Sequence, residues 1–187
     1  VRYRKDVENN TEVPVIGVIP SRKRQDKRFL VVSDDDHNAM SESFRILRSR
    51  FYAAQKPKTG ATALLFLSLQ EKSGKSFVAA NMALSFAQIG KRVVLIDMNL
   101  RKGTLTELLC LDEGDSLSDY LAGNSSNLPS LIHQTEDMPG VDVIPCGELP
   151  SNQAELLSSK RLDLLIAWLR ERYDYILIDS VPYGVVA

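Results

Sequence analysis

Gly74, Lys75 and Ser76 stand side by side, and two aspartates further along, Asp97 and Asp179, each close an apolar run. This set of side chains can do phosphate chemistry. The backbone N–H groups of a loop ending in such residues, and of the helix that it opens, converge on phosphate oxygens. Gly74 lets the chain come close, Lys75 supplies a point positive charge, and the Ser76 hydroxyl is placed to ligate Mg2+. The full P-loop pattern carries a further glycine where this chain has Leu69. A bare Gly-Lys-Ser usually means only a turn before a helix, so the reading rests on what lies around it.

The surroundings supply the order that a phosphate site needs. The run ALLFLS at 63–68 reads as a buried parallel strand before the loop. After it comes an alanine-rich stretch, 78–89, apolar on nearly all sides and closed by Gly90, which predicts a well-buried helix. Residues 92–96 predict the second central strand, ending on Asp97. In open parallel sheets the carboxyl ends of the strands face the ligand crevice, so Asp97 is expected beside the P-loop, able to hold Mg2+ or orient an attacking hydroxyl. Short helical turns follow at 104–109 and 116–121, then a surface loop at 123–129 and a third strand at 141–145. Residues 158–172 predict an amphipathic helix with Leu162, Leu165, Ile166 and Leu169 inward. Residues 175–179 predict a fourth strand ending in the second acid. Alternating strands and helices give an α/β fold with a parallel sheet and right-handed crossovers.

Before this core the chain is less regular. Residues 1–12 read as a polar linker and VPVIGVIP at 13–20 as an edge strand bounded by prolines. Arg22, Lys23, Arg24, Lys27 and Arg28 read as a solvated basic loop. A helix beginning at Ser41 puts Phe44, Leu47 and Phe51 inward. The same spacing sends Glu42, Arg45, Ile46 and Ser49 outward with Arg48 at the margin, which alone reads as a solvated face carrying a Glu42–Arg45 pair. The chain has 187 residues, 44% hydrophobic and 25% charged, with net charge −1, so no global field draws it to nucleic acid or a membrane surface. No run reaches the length of a membrane helix and no signal peptide is visible, so the chain as given reads as soluble. Cys110 and Cys146 read as two buried thiols. His37 and His133 are isolated and carry no assigned chemistry, and the scattered tyrosines read as packing residues.

Taken together, the motifs resemble the cytoplasmic domain of a bacterial tyrosine kinase of the capsular and exopolysaccharide co-polymerase family. Gly74-Lys75-Ser76-Phe77 with Ala79, Ala80 and Asn81 resembles its Walker A region. The stretch 93–101, from Val93 through Asp97 and Asn99 to Arg101, resembles Walker A′, and Ile176 to Asp179 resembles Walker B. Glu42, Arg45 and Arg48 match the family's E-x-x-R-x-x-R helix, and 147–157 is similar to the segment before its last crossover helix. The resemblance implies a P-loop NTPase-like three-layer sandwich with a mainly parallel sheet, 31–187, incomplete at its C-terminus and preceded by a juxtamembrane linker and edge segment at 1–30. It implies ATP and Mg2+ as cofactors, with Ser73, Gly74, Lys75, Ser76 and Phe77 around the nucleotide and Ser76, Asp97, Asn99 and Asp179 around the metal. Asp97 would help activate a tyrosine hydroxyl, with Lys75 on the phosphates and Arg101 in a supporting phosphate or loop-ordering role. Glu42, Arg45 and Arg48 would carry self-association into a ring, in place of the solvated face. The partners implied are further copies of the chain, phosphorylated in trans, and a transmembrane co-polymerase portion of an inner-membrane protein, with no nucleic acid. Asn99 stands where the family has a second aspartate, which motivates a rival reading as an ATP-binding assembly module with impaired catalysis. A ParA/MinD-type ATPase is a third reading, set against by Gln70, where those proteins carry a signature lysine.

Overall fold

A computed structural model describes residues 4–21, 28–33, 38–55, 60–111 and 114–182. The chain divides into two compact units, Val1–Thr59 and Gly60–Ala187. The helix that carries Glu42, Arg45 and Arg48 falls in the first unit, and every P-loop residue in the second.

In the first unit, helix α1 (Arg4–Asn10) stands where a linker is expected. Its polar end closes the helix instead of preventing it: Asn10 Nδ2 donates to the Asp6 carbonyl (2.7 Å) and Thr11 Oγ1 to that of Val7 (3.0 Å). The expected edge strand at 13–20 does not form. Pro14 and Pro20 have no N–H to give to a ladder. Instead, a Cβ on Gly17 would meet Leu47 Cδ1 at 2.6 Å, so the glycine allows a close approach to helix α2 (Ala39–Ala54). Helix α2 begins before Ser41 because Asn38 caps it, its side-chain oxygen accepting from Met40 N (2.9 Å) and Ser41 N (2.8 Å). Phe44 is fully buried, Leu47 and Phe51 half-buried, and Glu42, Ile46 and Ser49 exposed, as the helical spacing requires. Of the basic cluster, 22–27 lie outside the described residues, as does His37.

In the second unit, strands β1 (Thr62–Phe66), β2 (Val93–Asp97), β3 (Val141–Ile144) and β4 (Tyr175–Asp179) form one parallel sheet in the order β1-β4-β2-β3. Side chains alternate across it. Val94, Ile96 and Ile176 enter a core with Leu117 and Leu121 of α5 (Leu117–Ala122) and Leu165 and Leu169 of α7 (Lys160–Arg170). The opposite face receives α3 (Lys75–Ala87), whose Phe86 ring stacks on Tyr175 with centroids 4.1 Å apart. Tyr175, Leu177 and Asp179 share that face, and so do Val93, Leu95 and Asp97 across the register. This is the three-layer arrangement expected, and its alternation alone puts both aspartates on the P-loop helix side.

The expected helical turn at 104–109 is α4 (Thr104–Leu108). Helix α6 (Gln153–Leu157) and a 3-10 turn at Pro129–Leu131 are additions, and the helix expected from 158 starts at Lys160. Cys146 is buried, but Cys110 is exposed, contrary to expectation. Its φ of 51° turns the chain out just beyond α4. His133 pairs antiparallel with Val143 of β3 and its Nε2 lies 2.8 Å from the Asp115 carbonyl, a structural role.

Candidate functional site

The loop between β1 and α3 ends at Gly74, whose φ of 89° lies in the left-handed region that glycine tolerates without cost. The chain then enters α3 with Lys75 as its first residue. Lys75 Nζ pairs with Asp179 Oδ1, and Ser76 Oγ donates to Asp179 Oδ2 at 2.6 Å. Asp179 is fully buried and the Lys75 side chain nearly so. The last residue of β4 therefore anchors the first turn of α3, where N–H groups and the helix dipole favour an anion.

Asp97 stands opposite Asp179 in the β2–β4 register and is also fully buried. Its Oδ2 accepts from Leu105 N, Thr106 N and Thr106 Oγ1, each at 3.0 Å, and its Oδ1 accepts from Asn99 N at 3.1 Å. The carboxylate thus supplies the cap that α4 lacks at Gly103, an N-cap residue with no side chain. Burial pushes the Asp97 carboxyl up to about 6; the Thr106 amide opposes this, and the charge of Asp179 adds to it.

Asn99 is buried, its carbonyl accepting from Lys102 N (3.1 Å) and Gly103 N (2.9 Å). Arg101 and Ser73 are exposed and Phe77 is half-buried. The structure thus brings Gly74, Lys75, Ser76 and Asp179 together, with Asp97 beside Asp179. Glu42, Arg45 and Arg48 lie on α2, where Arg45 pairs with Glu42 at 3.4 Å.

Two features escape sequence reasoning. Glu71 of the P-loop pairs with Lys102 of the loop after β2 at 2.5 Å, and Thr106 clasps Asp97. Neither belongs to a motif read from the sequence; the only hint is an aspartate at a strand end shortly before a helix without a side-chain cap.

Ser76, Asp97, Asn99 and Asp179 are all oxygen donors, the hard set that Mg2+ takes. Among the described residues, no three His, Cys, Asp or Glu side chains gather into a metal cage. Two carboxylates and a hydroxyl beside a phosphate-binding loop fit an ion held jointly with phosphate oxygens.

An AAA-domain family model matches residues 69–186. The tyrosine-protein kinase wzc of Salmonella typhi is 36% identical over 167 residues, 89% of this chain and 23% of that protein. The kinase domain of the Escherichia coli tyrosine kinase ETK superposes with a TM-score of 0.77 at 31% identity, covering 89% of this chain and 64% of that one. The chimerical protein CapA2B2 superposes with a TM-score of 0.85 at 29% identity, covering 98% of this chain and 77% of that one. The chain spans about a quarter of the length of the curated relatives it matches.

Proposed function

Because the chain belongs to the AAA-domain family, we propose that it is the nucleotide-binding module of an ATP-dependent protein-tyrosine kinase. It phosphorylates other copies of itself and regulates capsular or exopolysaccharide polymerisation and export. One observation carries this reading: Lys75 and Ser76, on the first turn of α3, converge on the buried Asp179 at the end of β4. The naming of similar proteins as tyrosine kinases supports the choice of phosphate acceptor.

In this reading the P-loop amides and Lys75 bind the ATP phosphates, with Ser73, Gly74 and Phe77 lining the loop and Arg101 in a supporting role. Ser76, Asp97, Asn99 and Asp179 hold Mg2+, which when bound neutralises the phosphate charge that builds up during transfer. Asp97 takes the proton of the incoming tyrosine hydroxyl as its oxygen bonds to the γ-phosphorus and ADP leaves. Phosphoryl transfer asks mainly for positioning and charge neutralisation, which these groups provide. Glu42, Arg45 and Arg48 mediate a homo-oligomeric ring, and the module belongs to the cytoplasmic side of a membrane co-polymerase. Among the described residues no helix is long and apolar enough to cross a membrane.

The test is phosphotyrosine mapping by mass spectrometry after incubating the full-length protein with Mg-ATP. Wild type is expected to be modified, and Lys75→Ala to lose roughly 10²–10³-fold in rate, the scale of one transition-state charge donor. Phosphotyrosine indifferent to Lys75→Ala would overturn the reading. Asn99, neutral and tied through its backbone, favours a second reading as an assembly module without transfer. ATP binding with phosphotyrosine only in Asn99→Asp would select it.

A further inference from the structure

The two oxygens of Asp97 are not equivalent. Oδ2 accepts from three donors, Leu105 N, Thr106 N and Thr106 Oγ1. Among the described residues Oδ1 accepts from Asn99 N only. A carboxylate offers about two acceptor sites on each oxygen, so Oδ2 is committed to the protein and Oδ1 keeps capacity to spare. Of the Oδ2 donors, Thr106 Oγ1 is the one that a substitution can remove without disturbing the backbone. That hydroxyl also accepts from Cys146 N at 2.9 Å, just beyond the end of β3. It is therefore fixed from both sides: the amide occupies a lone pair, and its only proton is directed at Asp97. Thr106 itself is buried. The chain from Cys146 N through Thr106 Oγ1 to Asp97 Oδ2 ties the segment after β3 to the acid at the end of β2.

We propose that Thr106 is a positioning residue of the site: its hydroxyl completes the set of donors that holds the Asp97 carboxylate in one rotation, so that Oδ1 is the oxygen presented for the metal or for the tyrosine hydroxyl proton. This inference rests on the proposed role of Asp97 and adds to it which oxygen acts and what aims it. Without the hydroxyl the amides of Leu105 and Thr106 still hold Oδ2 and that of Asn99 still holds Oδ1, but the carboxylate loses one of its four restraints and can tilt about its Cβ–Cγ bond, so the acid stays in place with a looser aim.

The experiment compares Thr106→Val, which keeps the shape and removes the hydroxyl, with Thr106→Ser, which keeps the hydroxyl. Both are made in the full-length protein, alone and with Asp97→Asn. Three quantities are read: kcat and KM for ATP in phosphotyrosine formation, the Mg2+ concentration giving half-maximal binding of a fluorescent ADP analogue, and Tm. Thr106→Val is expected to lower kcat about tenfold or more and raise the Mg2+ requirement by a similar factor, the scale seen for partners that orient metal ligands. KM for ATP should stay within about twofold, since the phosphate-binding loop is untouched. Thr106→Ser should recover most of both losses. In the Asp97→Asn background Thr106→Val should cost nothing further, because the group that it aims is gone. Where Thr106→Val does not fold, Thr106→Ala, which leaves room for water at the Cys146 amide, takes its place. A lowered Tm with kcat and Mg2+ requirement unchanged would make Thr106 a structural cap only and overturn the proposal. If Asp97→Asn itself changes neither turnover nor Mg2+ requirement, the role of Asp97 fails first, and the inference falls with it.

Discussion

Asp97 has no exposed surface and four donors aimed at it, and these two facts pull its proton in opposite directions. Donors favour the carboxylate and burial favours the acid, and burial prevails, holding the group at about 6. The folded chain then binds this proton more tightly than the unfolded chain does. The contribution of Asp97 to stability is therefore full below pH 4, falls as pH rises through the interval from about 4 to 6, and stays at its low value above. The loss is on the order of 2–3 kcal/mol. Chemical denaturation from pH 4 to 7 should show this slope in wild type and a flattened one in Asp97→Asn; parallel curves would mean that Asp97 titrates normally. Lys72 poses a backbone problem at the same scale. Its φ of 56° places an L residue in the left-handed region within the P-loop. Lys72→Gly should relieve that strain and raise stability by up to about 1 kcal/mol, read as a higher Tm. A lower Tm would show that the lysine side chain compensates.

Element by element, stability depends on whether an end finds a partner. Helix α2 starts where it does because Asn38 accepts from two orphan amides, so Asn38→Ala should cost about 1 kcal/mol. An unchanged urea midpoint would contradict this. The same contrast explains what the sequence made legible. Strands β1, β2, β3 and β4 and helix α3 are readable as largely apolar runs bounded by loops, and helices α2 and α7 because one periodicity runs through enough residues to name the buried face. Phe44 of α2 and Leu165 and Leu169 of α7 lie where the spacing puts them. The P-loop was readable because Gly74, Lys75 and Ser76 are adjacent in the chain. Helix α1 was not, since it is short and its end is closed by the side chains of Asn10 and Thr11, polar residues that composition assigns to a linker. The segment 13–20 looked like a strand because its residues suit one, but a strand also needs a neighbour, and none pairs with it among the described residues. Thr106 was hidden for a third reason. Its donor Cys146 and its acceptor Asp97 meet it only after β2 and β3 have paired.

At the scale of the whole sheet, the two edges are treated differently. The outer side of β3 is partly closed by the antiparallel bridge between His133 and Val143, with both N–H···O bonds at 2.8 Å, and beside it Gln134 Nε2 donates to Asp142 Oδ1 at 2.8 Å. At the other end of the order stands β1, and among the described residues no strand pairs with its outer side. Leu65 there is 56% exposed and Leu67 just beyond it 60%. Leu65 is opposite Ile178 in the β1–β4 register, so it extends the α7-side surface of the sheet outward beyond the core. An unpaired parallel edge with exposed leucines is a template for another chain. This chain on its own should therefore self-associate with rising concentration through β1. Leu65→Lys should hold it monomeric in sedimentation velocity, since a charge at an edge opposes strand addition. The same change should alter stability by no more than about 0.5 kcal/mol, because Leu65 buries little on folding. If Leu65→Lys leaves the association unchanged while Arg45→Ala abolishes it, the contact runs through α2, and the open edge of β1 plays no part in it.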